Sequence, residues 1–211
     1  MMRFVLGAVC ALTVAVASAS AQQSNLRVRG TIEQVDGPLL TIKSRAGETL
    51  KVKLIGDAKV AAVVKAQLSD IKPGTFVGAT AVPEKGDRWQ ATEVHIFPES
   101  MRGTGEGDRA YDAAPKSTMT NGTVGAVAGG KSTMGGAVTN ASGTMLTLDF
   151  QGGKKIVDVT PDTKVVGLVP GNTGDLKPGA AIMIPTATRQ ADGTLAAARV
   201  NVGRDGVAPP M

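Results

Sequence analysis

The sequence predicts an all-β chain built as two tandem small barrels of five strands each. Three observations carry that prediction: an internal repeat, period-two alternation inside each copy, and the same turn at the same place in both. Leu40-Thr41-Ile42, Asp57-Ala58-Lys59-Val60, Asp70-Ile71-Lys72-Pro73-Gly74 and Ala91-Thr92-Glu93-Val94 recur in order. Their counterparts are Leu146-Thr147-Leu148, Asp162-Thr163-Lys164-Val165, Asp175-Leu176-Lys177-Pro178-Gly179 and Ala197-Ala198-Arg199-Val200, always 105 or 106 residues later. Chance does not hold a register over four blocks.

The first copy spans 25–98. Val28, Gly30 and Ile32 alternate with Arg27, Arg29 and Thr31, the pattern of a half-buried strand. Asp36-Gly37-Pro38 breaks the chain. Leu40 and Ile42 then oppose Thr41 and Lys43, and after the turn at 45–48, Val52 and Leu54 oppose Lys51 and Lys53. Phe76 to Val82 and Thr92 to Phe97 make two more strands, joined at Gly86-Asp87. Between the third and fourth strands Val60, Val63, Val64 and Leu68 lie at helical spacing, which predicts one or two helical turns there. In the second copy Gly167 and Pro170 interrupt the matching stretch and predict an irregular path. Pro73 fixes φ near −65° and Gly74 accepts a positive φ, the two demands of a type II turn; Pro178-Gly179 repeats them. Three strands, a short helix or loop, then two strands is the order of an OB-like barrel.

Residues 99–119 are rich in Gly, Asp, Ser and Thr and predict a linker. The second copy spans 120–203. Its first strand has two candidates. Gly122-Thr123-Val124 matches Gly30-Thr31-Ile32 in residue type, and Gly136-Ala137-Val138 matches it better in spacing. The recurrence of Lys116-Ser117-Thr118-Met119 as Lys131-Ser132-Thr133-Met134 favours the first, with a local insertion after it. Residues 204–211 read as a loose tail.

The N-terminus reads as a signal peptide over 1–21: Arg3, an uncharged apolar run from Phe4 to Ala17, and the small-x-small site Ala19-Ser20-Ala21. The run is shorter than the roughly 20 residues that cross a bilayer. The expected location is periplasmic or secreted, with no transmembrane segment in the mature chain. Cys10, the only cysteine, lies in this segment, so a mature chain has no thiol chemistry and no disulfide. Removing Arg3 from the 23 basic residues leaves 22 against 18 acidic ones, a net charge of +4. These charges are scattered, not striped as nucleic-acid binding requires. Five aromatics remain, Phe76, Trp89, Phe97, Tyr111 and Phe150, too few for base-stacking platforms in both copies.

The repeated strand–turn–strand units with Leu or Ile before Lys-Pro-Gly resemble a bacterial exported small-barrel domain of unknown function, number 5666 in that series. The segment 99–107, the run from Asp192 to Val200 and the ending Gly206-Val207-Ala208-Pro209-Pro210-Met211 are similar to a two-copy branch from soil α-proteobacteria. The resemblance implies a periplasmic or secreted β-barrel protein and carries no catalytic residues. Members sometimes bear the label metal ABC transporter permease. A permease needs several membrane helices, and this sequence holds no such set.

Candidate sites follow from single residues. Gly125 to Ser132 spells the phosphate-loop pattern, with Gly125, Gly130, Lys131 and Ser132 at its fixed positions. The Thr-Met-Gly-Gly that follows is a poor helix start, so the match reads as chance and no nucleotide site is expected. His95, the only histidine, shares a strand face with Glu93, and Glu99 lies beyond it; together they are the metal candidates. Met101, Met119 and Met134 offer thioethers without a local cluster. Asp57 and Asp162 recur as turn-capping residues. With one His and no nucleophile elbow, catalytic triads are not expected. Trp89 and Phe97 are the candidates for contact with a ligand or partner. The expected function is a non-enzymatic binding or structural module in the envelope, without cofactor, for a protein, glycan or small ligand. The alternative is metal handling for an uptake system.

Overall fold

A computed structural model of the chain describes residues 25–84, 88–129, 132–134, 137–139 and 143–209. The expected signal segment, the Gly86-Asp87 turn, and Gly130 and Lys131 lie outside them. The described residues are all-β, with no helix beyond three-residue 3-10 turns. The first copy forms β1 (Asn25–Asp36), β2 (Leu39–Ser44), β3 (Thr49–Lys65), β4 (Phe76–Pro83) and β5 (Trp89–Ile96). Then come β6 (Gly107–Ala110) and β7 (Thr118–Gly129). A small hairpin, β8 (Ser132–Met134) and β9 (Ala137–Thr139), follows. The second copy continues with β10 (Thr144–Phe150), β11 (Gly153–Val159), β12 (Lys164–Pro170), β13 (Ala181–Arg189) and β14 (Leu195–Gly203).

The barrels do not coincide with the repeats. The first barrel closes as β1-β2-β3-β14-β13 and back to β1. The second closes as β7-β10-β11-β5-β4 and back to β7. Each copy therefore keeps its first three strands and lends its last two to the other. The division into barrels at 25–98 and 120–203 is corrected accordingly. The Lys-Pro-Gly turns take part in the exchange. Gly74 and Gly179 sit at φ of 89° and 85°, and each turn closes with a bond from Thr75 N–H to Lys72 O or from Ala180 N–H to Lys177 O, both 3.0 Å. Gly74 N–H then donates to Val124 O, and Gly179 N–H to Ile32 O, so each turn is pinned to the other copy.

β3 explains why the strands cross over. The run from Lys59 to Lys65 is strand, not the helical turns that its spacing suggests; only Leu68–Asp70 makes a 3-10 turn. Ala61, Ala62 and Val63 are paired on both sides here, by β14 and by β12, and Val60 and Val64 flank them. β-Branched residues suit that pleated, buried surface. At 17 residues β3 is about 55 Å long. It carries the chain beyond the first barrel, so β4 and β5 land in the second.

The pairing obeys a pseudo-two-fold axis. Val63 pairs with Leu168, its own counterpart, while Lys65 pairs with Val166 and Ala61 with Pro170. The parallel pairs Val60–Val200 and Val165–Val94 are likewise equivalent. Gly30 pairs with Ile182 and Gly122 with Val77, which places the first strand of the second copy at Gly122-Thr123-Val124. A Cβ on Gly30 would lie 2.2 Å from Lys43 O, and on Gly122 2.5 Å from Asp149 O. Both glycines exist for the same close strand crossing.

Three buried clusters result. One fills each barrel with residues from both copies. The third, Ala61, Val63, Phe76, Phe97, Val166 and Leu168, joins the barrels along the axis. The expected linker is folded: β6 pairs with β7, and Asp112 forms ion pairs with Arg27 and Arg29. The expected tail is docked as well. Arg204 N–H donates to Val63 O, its side chain pairs with Asp175, and Val207 packs on the third cluster.

Candidate functional site

A cavity of about 130 Å³ lies between the barrels. β5 brings His95, with Phe97 just beyond its end; β7 brings Met119 and Asn121; β13 brings Met183 and Pro185; β14 brings Arg199 and Asn201. Leu168 of β12, Met101, Thr104, Arg109, Tyr111 and Arg27 complete the wall. Pro185 opens the sheet at this place. It has no N–H to give a ladder, and the β13–β14 pairing is broken between Met183 and Thr188. The partner strand β1 shifts register opposite, between Leu26 and Val28.

Val94 faces the second core, so its neighbour His95 faces away from that core and towards the cavity. The ring lies edge-on to Phe97, centroids 4.8 Å apart. Gly78 makes room for it: a Cβ there would lie 2.1 Å from His95 Nε2 and 2.6 Å from Asn121 Oδ1. His95 Nδ1 and Asn121 Oδ1 are both buried without a hydrogen-bond partner among the described residues. Asn121 Nδ2 donates to Thr104 O at 2.9 Å, which fixes the amide orientation and leaves Oδ1 turned towards Gly78. Each such buried atom costs about 1–3 kcal/mol if nothing bonds to it.

Burial pushes the His95 imidazole down from 6.5 to about 4, with the Arg109 charge adding to the effect. The native ring is therefore neutral at pH 7. Between pH 6.5 and 4 the unfolded chain takes up a proton that the folded chain refuses. Stability is full above pH 6.5 and falls as pH drops towards 4, by about 3 kcal/mol from this group. Urea unfolding at stepped pH measures it, and His95→Gln should flatten that part of the curve.

Arg27, Arg109 and Arg199 line the outer part of the cavity, and no Asp or Glu is among its described lining residues. The Arg27 guanidinium stacks on Tyr111, 4.5 Å from the ring centroid, and pairs with Asp112. Hydrogen bonds from Arg29, with the Arg27 charge nearby, hold the Asp112 carboxyl down at about 2.

The residues singled out in the sequence meet different fates. Phe97 is a buried wall of the cavity and packs on Phe76, centroids 5.2 Å apart. Trp89 is not an exposed anchor. It covers the second core, and Lys155 Nζ sits 3.5 Å above its ring. Lys155 is itself buried and pairs with Asp108 at 3.0 Å. The metal trio does not assemble. Glu93 is buried on β5, whereas Glu99 is exposed and paired with Arg102. Among the described residues no group of three His, Cys, Asp or Glu could hold a metal ion. Gly125 lies in β7, and Ser132 opens β8, a strand, where a phosphate loop would need a helix start. No helix among the described residues is long and apolar enough to cross a membrane.

Met101 and Met119 do reach the cavity, joined by Met183, which its sequence spacing did not suggest. Arg27, Arg109, Arg199 and Asn121 were also missed. One signal could have found some of them. Structural positions keep their residue type between copies, as Val60 and Val165 do, whereas cavity positions diverge. His95 answers to Asn201, Glu93 to Arg199, Gly78 to Met183 and Arg29 to Asn121.

The chain matches no family model, no curated protein and no solved structure.

Proposed function

We propose that the chain is a non-enzymatic binding module, exported to the periplasm or beyond, whose ligand site is the cavity between the barrels. The observation that carries this reading is the cavity itself, lined by His95, Asn121 and three arginines with no Asp or Glu among its described lining residues. The divergence of the lining between copies supports the same reading, because symmetry alone would have served the fold. A binding role fits better than catalysis. His95 has no carboxylate on Nδ1 to orient it, and a general base in a nucleophilic set needs that third group. Export and membership of the small-barrel family rest on the N-terminal segment and on the Lys-Pro-Gly units.

Native mass spectrometry of protein purified from its own host tests the proposal. The expected result is a mass above that of the polypeptide, lost in Thr104→Phe, which crowds the cavity wall. Bare polypeptide in both forms would contradict it.

A second reading is a soft-metal carrier. It is favoured by the meeting of three thioethers, Met101, Met119 and Met183, with a neutral imidazole in one cavity, a donor set suited to Cu(I). Three guanidinium groups nearby oppose a cation. Titration with Ag(I) decides: this reading requires one equivalent bound tightly and lost in Met119→Leu.

A further inference from the structure

Apart from the cavity between the barrels, we propose that the open mouth of the first barrel is a second binding site, for a small aromatic monocarboxylate. The pseudo-two-fold axis supplies the comparison that carries it. In the second barrel the mouth is closed from within. Trp89 covers the core, and the Lys155 ammonium sits 3.5 Å above its ring. Lys155 is held there by Asp108 at 3.0 Å and by Thr118 Oγ1 at 2.6 Å. In the first barrel all three of Trp89, Lys155 and Thr118 are answered by leucine. Leu195 answers to Trp89, as the cross-strand pairs Leu195–Arg189 and Trp89–Pro83 place them. Leu50 answers to Lys155, the first opposite Ile42 and the second opposite Leu148. Leu26 answers to Thr118, each lying four residues before its glycine, Gly30 or Gly122.

Three leucines cannot close the mouth as an indole and an ammonium do. A cavity of about 480 Å³ remains, with Leu26, Leu50 and Leu195 in its wall. That volume falls within the 300–1,000 Å³ of small-molecule sites, and barrel mouths are places where such sites form. Depth limits the ligand. Leu40, Ile42 and Val52 are wholly buried in the same barrel and fill it, which leaves no room for a long acyl chain. A flat ring of the size of the missing indole suits the leucine surface.

Charge sets the other end of the ligand. Four arginines line the cavity, Arg27, Arg29, Arg45 and Arg189. Asp112 occupies the first two. Arg45 and Arg189 are exposed and form no ion pair among the described residues. Besides Asp112, Glu48 is the one carboxylate in the described lining. Two open guanidinium forks against one carboxylate favour a single negative charge, and their planar geometry matches a carboxylate.

Isothermal titration calorimetry of the full chain with three probes tests the proposal. They are indole-3-propanoate, indole-3-propanamide, which lacks the charge, and propanoate, which lacks the ring. The indole acid should bind about tenfold tighter than either control. Arg189→Gln, an exposed change, should weaken the acid about tenfold and leave the amide unchanged. Ala46→Trp, exposed at the hairpin turn beside the cavity, supplies from the chain the ring that the second barrel already has, and should abolish binding. Thr104→Phe, at the cavity between the barrels, should leave the affinity unchanged. The proposal is overturned if either control binds as well as the acid, if dodecanoate binds more tightly, or if the folded protein gives no heat with the acid at millimolar concentration. It is also overturned if Thr104→Phe abolishes binding and Ala46→Trp does not; the acid then sits between the barrels, and the site proposed there stands while the mouth is excluded.

Discussion

Residues 25–103 expressed alone will not fold into a monomeric barrel. The fragment keeps β1, β2 and β3 of the first barrel but loses β13 and β14, which close it. Of the fourteen buried residues described in that core, eight come from the second copy, among them Ile182, Ile184, Leu195 and Val202. A unit of this size is marginal even with its whole core, and three strands with two open edges cannot retain it. β4 and β5 in the same fragment have lost Val124, Leu146, Leu148 and Val157 on the other side. The fragment should be unfolded, or should pair with a second copy that lends it the missing strands. Adding residues 104–211 should restore one folded 1:1 complex. Amide dispersion by NMR and mass by light scattering read both outcomes. A well-dispersed monomeric spectrum from the fragment alone would show that each copy closes on itself.

The second large effect comes from Gly30→Ala and Gly122→Ala. Each new methyl group would press on a backbone carbonyl, Lys43 O or Asp149 O, which cannot swing aside as a side-chain tip can. Overpacking of this kind costs about 2–3 kcal/mol, and in a chain of this length lowers the melting midpoint by about 5–10 °C. The informative feature is coupling. Gly30 belongs to the first barrel, and Trp89, the only tryptophan, lies in the second. Because the barrels share β-strands from both copies, Gly30→Ala should shift the Trp89 fluorescence transition as far as it shifts the circular dichroism transition. Independent barrels would leave the fluorescence midpoint in place.

Much of the fold was legible in the residues, and the reasons are local. Period-two alternation marked β1, β2 and the start of β3, and Pro73-Gly74 and Pro178-Gly179 specified their turns through backbone angles alone. The exchange was not legible because the two copies offer equivalent edges. Gly30-Thr31-Ile32 and Gly122-Thr123-Val124 present the same groove to Ala181-Ile182 as to Phe76-Val77, so no local pattern says which pairs with which. The length of β3 decides it, and that length was hidden by a run, Val60 to Val64, whose spacing suits a helix as well as a doubly paired strand. His95 was visible as the lone imidazole. Its companions were not, because Met183 and Arg199 reach it only through the borrowed strands, and Arg109 through a segment that lacks periodicity.

Disulfide trapping across the exchanged pair tests the interlocked architecture most directly. Thr31 and Ala181 are cross-strand partners in the first barrel, at a separation that antiparallel pairs share with disulfides. Thr31→Cys with Ala181→Cys, in a chain expressed from Gln22 and so without Cys10, supplies the only two thiols. A protease site placed between Ala113 and Pro115 then allows the oxidised protein to be cut and denatured. The exchange predicts two fragments still joined on a non-reducing gel and released by reductant, at the mass of one chain. Fragments that separate without reductant, after oxidation of the native monomer, would contradict it.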